Sequence, residues 1–247
     1  MNQIIKLQLF AFVAFCLYCL IRLIGVNYQP ASVWQYFFWG ILIKDSFFLI
    51  FSLIFVYYLF NLLRRGQPTG PTIIPGPKLK TVLYLILGFW WLAIILHILF
   101  DPLQLLFSLP QFFIYRLANF LDETVSHIFL YSPFVLASFI SLFLEIERPC
   151  SKALTEIDYL IIWLLSPIAG IMWGLNLTEG RLSLYTSFPL TLLYLTLTLL
   201  IFKKFHLKFN HRPLTLIYFI FFFAGAVAFS LWGLKFHSFP EFFNYLK

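Results

Sequence analysis

Leu121-Asp122-Glu123-Thr124-Val125-Ser126-His127 opens a run that stays apolar as far as Ile146. Such a run is long enough to cross the hydrocarbon of a bilayer, which takes roughly 20 residues as a helix. Two acids, two hydroxyls and an imidazole therefore stand where a hydrophobic helix enters a membrane. Ionisable groups are expensive there and mark function or a buried partner.

Runs of the same kind recur on both sides of this one. They cover Ile4 to Ile24, Gly40 to Leu63, Thr81 to Phe100, Thr155 to Leu175, Leu182 to Phe202 and Leu214 to Leu234. The pattern predicts an all-α polytopic membrane protein with about seven transmembrane helices. Leu103 to Asn119 is apolar but broken by Pro110, so a re-entrant or interfacial segment is expected near 103–119. Pro102 predicts that the third helix stops or kinks after Asp101. The fourth span is expected to begin near Asp122, with a kink at Pro133. Thr155-Glu156-Ile157-Asp158 has the arrangement of a helix cap, and Gly170 and Gly174 suit close helix packing.

Composition supports the same reading. Of 247 residues, 62% are hydrophobic and 11% charged, and a water-soluble domain cannot hide that much apolar surface. No polar stretch is long enough for a separate soluble domain, so residues 1–247 read as a single integral membrane domain. A net charge of +7 could suit nucleic acid in a soluble protein. Here the basic residues gather in loops between apolar runs, so the positive-inside rule explains them, the lipid bilayer is the expected partner, and no nucleic-acid partner is expected. Arg64, Arg65, Lys78 and Lys80, then Arg148 and Lys152, then Lys203, Lys204, Lys208 and Arg212 would be cytoplasmic. That topology predicts a cell-membrane protein with a cytoplasmic N-terminus and a non-cytoplasmic C-terminus. Cys16 and Cys19 fall in the first apolar run and Cys150 in a short loop, which is not a disulfide framework.

The predicted topology brings His97 and Asp101, at the outer end of the third span, to the level of Asp122, Glu123 and His127. His97 and Asp101 are four apart and share a helix face, as do Glu123 and His127. His97, Asp101, Glu123 and His127 are thus candidate ligands for zinc or iron, with Asp122 and Glu123 as candidate catalytic carboxylates. A metal-dependent hydrolase of a lipid ester or amide is the expected function, with its site near the non-cytoplasmic face. A proton-coupled transporter using Asp45, Glu123 and His127, or a non-catalytic membrane assembly partner, are the alternatives. Asp122 and Glu123 also occupy the first turn of the expected helix, where acids favour the dipole without any catalytic role.

The order of a histidine on one span followed by Leu121-Asp122-Glu123 opening the next resembles the seven-span alkaline ceramidases over about residues 90–130. That resemblance implies a zinc amidase site. The pattern departs from it elsewhere: Ala93 stands where a serine four before the histidine belongs, and Phe219 to Leu234 contains no histidine. The metal site of those enzymes therefore does not carry over as a set.

Overall fold

The computed structural model describes residues 3–14, 57, 76–106, 112–179 and 182–240. Among the described residues all regular structure is helical. α1 spans Gln3–Ala14, α2 Gly76–Leu106 and α3 Phe113–Phe120. A π-helical turn, Leu121–Ser126, joins α3 to α4, His127–Glu147. α5 spans Glu156–Asn176, α6 Ser187–Lys204 and α7 Pro213–Phe236.

Five helical stretches are long and apolar enough to cross a membrane: Thr81–Phe100, Phe113–Glu147, Glu156–Asn176, Ser187–Lys204 and Pro213–Phe236. They correspond to the third through seventh expected spans. Of the first expected span only α1 is described. The second, with Lys44 and Asp45, lies outside the described residues, as do Cys16, Cys19, Arg64 and Arg65.

The sixth helix starts at Ser187, five residues after the expected Leu182, and two other boundaries differ from expectation. Pro102 does not end the third helix, because α2 continues to Leu106. A proline costs a helix one hydrogen bond but is tolerated in membrane helices where neighbours support the backbone. The fourth span does not begin at Asp122. It belongs to a continuous 35-residue helical stretch that starts at Phe113. Phe113 to Phe120 contains neither glycine nor proline, and Pro110 lies before its first turn, where it cannot interrupt it. The two described ends of the segment 103–119 are therefore both helix. Pro133 and Pro167 also lie inside continuous helices.

The start of α5 follows its sequence closely. Thr155 Oγ1 accepts from the Asp158 amide at 3.3 Å, and the Asp158 carboxylate accepts from the Thr155 amide at 3.0 Å. This reciprocal cap satisfies amides that the first turn leaves without helical partners.

α5 and α7 run in the same direction and touch through backbone. A methyl group added at Gly170 would strike the carbonyl of Phe221, and one at Gly174 would strike the carbonyl of Gly225. A methyl at Gly225 would in turn come within 2.8 Å of the Gly170 carbonyl. Lipid tails are as apolar as leucine, so membrane helices gain little by burying oily side chains and associate through such close backbone approach. The outward faces remain apolar: Leu160, Trp163 and Leu164 on α5 and Phe223, Leu231 and Leu234 on α7 are exposed.

The helix directions define two ends. At one end, Ile5 of α1 packs with Leu154, Leu216 and Ile217. The loops after α4 and α6 are joined there by the Cys150 amide donating to His211 O at 2.8 Å and the Leu154 amide to Asn210 O at 2.7 Å. At the other end lie His97, the π turn, the close of α5 and the start of α6, where the Ser132 and Ser187 hydroxyls meet at 3.2 Å.

Replacing Gly170 or Gly174 by leucine should destabilise the purified protein by about 1–3 kcal/mol or more, the usual cost of overpacking a filled contact. Gly88, with nothing within 4 Å of the added methyl, should accept alanine without loss. Thermal unfolding in detergent checks both expectations.

Candidate functional site

The π turn builds the site. An α-helix satisfies each carbonyl four residues on, whereas a π turn reaches five and sets carbonyls outside the regular ladder. Side-chain donors take two of them here. The Ser126 hydroxyl donates to the Asp122 carbonyl, and His127 Nδ1 donates to the Glu123 carbonyl at 3.0 Å. Asp122, Thr124 and Ser126 are buried within this turn.

Asp122 is 2% exposed, and its carboxylate lies 2.5 Å from His97 Nδ1 on α2. A buried carboxylate needs a partner that replaces water, and an imidazole N–H provides one. His97 is less enclosed, with 32% of its side chain exposed. Its ring centre is 6.3 Å from that of His127, the two standing at 61°. His127 in turn stacks on Tyr131, with ring centres 5.7 Å apart. The Tyr131 hydroxyl donates to the Asn176 carbonyl at 2.9 Å and so ties the group to the end of α5.

Both imidazoles are therefore held by Nδ1 against an oxygen. A carbonyl can only accept, so His127 carries its proton on Nδ1. In the neutral rings this puts the lone pair on Nε2. Metal-binding histidines are oriented in the same way by outer carboxylates or carbonyls.

His97, Asp122 and His127 come together from α2, the π turn and α4. Glu123 is half-buried in the π turn, and its main-chain carbonyl accepts from His127 Nδ1. Asp101 lies in α2 one turn past His97, and its side chain falls outside the described set. No three His, Cys, Asp or Glu residues among the described ones gather in metal-binding geometry. Asp122, a candidate catalytic carboxylate in the sequence, lies against the His97 ring.

Sequence reasoning missed Glu145. This residue marks the exit of the fourth span in sequence, yet its side chain is completely buried. Its carboxylate accepts the Leu214 amide at 3.0 Å, the Thr215 amide at 2.7 Å and the Thr215 hydroxyl at 2.8 Å. α7 begins Arg212-Pro213-Leu214-Thr215, with arginine at the capping position, which has no side-chain oxygen to offer. Glu145 supplies from α4 the cap that α7 lacks. The available signal was a proline-led helix with arginine in place of Ser, Thr, Asp or Asn at the capping position, beside an acid just inside an apolar run.

Compared with known proteins, the chain matches no family model, no curated protein and no solved structure.

Glu145→Ala should leave the Leu214 and Thr215 amides unsatisfied and cost more than about 2 kcal/mol. Glu145→Gln keeps an acceptor oxygen and should cost less. Hydrogen exchange at Leu214 and Thr215 reads the effect directly, and unchanged protection in Glu145→Ala would refute the capping role.

Proposed function

We propose that this membrane protein is a hydrolase of a lipid ester or amide, acting through a divalent zinc or iron ion held between His97 and His127. The observation that carries this reading is the pair of Nδ1-anchored imidazoles on adjacent helices with ring centres 6.3 Å apart. An ion about 2.1 Å from each Nε2 stands about 3.2 Å from each ring centre, so two rings sharing it lie roughly 5 to 6 Å apart. The observed 6.3 Å lies just above that range.

In this reading Asp122 is the orienting carboxylate of His97, which fixes the tautomer and raises the basicity of Nε2. Asp101 and Glu123, each one turn from a histidine, are the proposed carboxylate ligands. Glu123 is also the proposed base. It takes a proton from the attacking water and passes it to the departing alcohol or amine, while the hydroxyl completes the carboxylic acid. An apolar surround supports a lipid substrate, because the acyl chain can stay in hydrocarbon while its ester reaches the polar layer. The site would lie toward the non-cytoplasmic face of the cell membrane, with the basic loops on the cytoplasmic side.

One further observation favours a proton-coupled transporter as the second reading. Ser138, Ser141 and Glu145 continue the line of His127 and Tyr131 along α4, and Ser187, Thr191, Tyr194 and Thr198 form a buried line along α6. A polar seam between two helices is a route along which protons could be passed.

Metal analysis of the detergent-purified protein separates the two. The hydrolase reading predicts near-stoichiometric zinc or iron in the wild type, and at least a tenfold loss in His97→Ala and in His127→Ala. Metal-free wild type that passes protons into proteoliposomes would overturn it in favour of the transporter.

A further inference from the structure

The basic loops after α4 and α6 are far apart in sequence but form one surface. The amides of Cys150 and Leu154 donate to the carbonyls of His211 and Asn210, and His211 Nδ1 donates back to the Cys150 carbonyl at 2.9 Å. These bonds hold the two loops as a single platform at the end of the helices remote from His97. The start of α1 adjoins it, since Ile5 packs on Leu154 and Leu216.

The charge on this platform is one-sided. Lys6, Lys152, Lys203, Lys204 and Lys208 are all exposed. The acids nearby are turned inward. Glu145 is spent on the α7 amides, Glu147 is buried beside Arg148 at 3.5 Å, and Asp158 caps its own helix. Of the acids on α4 and α5 at this end, only Glu156 is exposed.

A hydrophobic tip accompanies the charge. His206 adopts a left-handed conformation, φ 50°, so the chain turns sharply after α6. Phe205, just before it, is 47% exposed between Lys204 and Lys208, with the Lys204 ammonium 5.5 Å from its ring centre. An exposed aromatic ring with a lysine ammonium beside it is a pairing suited to a headgroup layer.

We infer that the platform formed by the 148–155 and 203–212 loops is a docking surface for anionic phospholipid headgroups. The lysines take the phosphate, and Phe205 enters the boundary with the acyl chains. Positive charge spread over loops would orient a membrane protein without making a binding surface. Here the loops are hydrogen-bonded together and most of the nearby acids are buried, which leaves the exposed charge of the joined loops mainly basic. A zwitterionic headgroup, carrying its own cation, gains less from such a face than an anionic one.

The test is titration of the detergent-purified full chain with dihexanoyl phosphatidylglycerol and, separately, dihexanoyl phosphatidylcholine. The wild type should bind the anionic lipid at least tenfold more tightly. Each lysine removed should weaken that binding about fivefold, so K203Q/K204Q/K208Q should bind both lipids alike. The triple Lys→Arg variant should retain the preference, as should K235Q at the opposite end. Equal binding of the two lipids by the wild type would overturn the inference, as would an unchanged preference in the triple Gln variant. Displacement of the lipid by an equal concentration of inorganic phosphate would also overturn it, since it would show a small-anion site in place of a lipid surface.

Discussion

A polar group inside hydrocarbon has no water to fall back on, and leaving it without a partner within the protein is costly. The start of α7 shows what that demands. Its first amides have no local cap, and the Glu145 carboxylate comes across from α4 to accept both of them and the Thr215 hydroxyl. This joins the end of one membrane helix to the beginning of another. It also fixes where α7 starts, and hence which of its residues meet α5 at Gly170 and Gly174. Asp122 meets the same constraint at the opposite end, where the His97 imidazole supplies the donor.

The two ends use the constraint differently. Around Glu145 the acids are consumed by backbone amides and by Arg148, which leaves lysines as the outward charge. Around Asp122 the polar groups stay grouped within the helices, and one of them, His97, is partly open. A closed cap stabilises. A partly open imidazole held by a buried carboxylate is instead suited to handling protons or ions, because its orientation is set before anything binds.

Much of the architecture was legible because lipid imposes length and apolarity on each span. The third to seventh spans, the Thr155–Asp158 cap and the close packing at Gly170 and Gly174 can all be read from local residues. The site was only half legible. His97, Asp122 and His127 stand out as polar groups in apolar runs, and their common depth follows from span order. Their pairing does not, because it depends on the π turn at Leu121–Ser126, and nothing local distinguishes those six residues from an α-helical turn. The role of Glu145 was hidden for a related reason. Its partners lie 69 and 70 residues further on, and only tertiary packing brings them within reach. Pro102 misled in the opposite sense, since its local preference to end a helix is overridden within α2.

α2 and the Phe113–Glu147 helix meet through a hydrogen bond between His97 Nδ1 and the Asp122 carboxylate. Nitrogen-15 NMR of histidine-labelled protein in bilayers reads this directly. Near neutral pH the His97 resonances should report a protonated Nδ1, with a marked shift in that signal on Asp122→Asn. A His97 ring protonated on Nε2 alone, with resonances indifferent to Asp122→Asn, would rule out this bond.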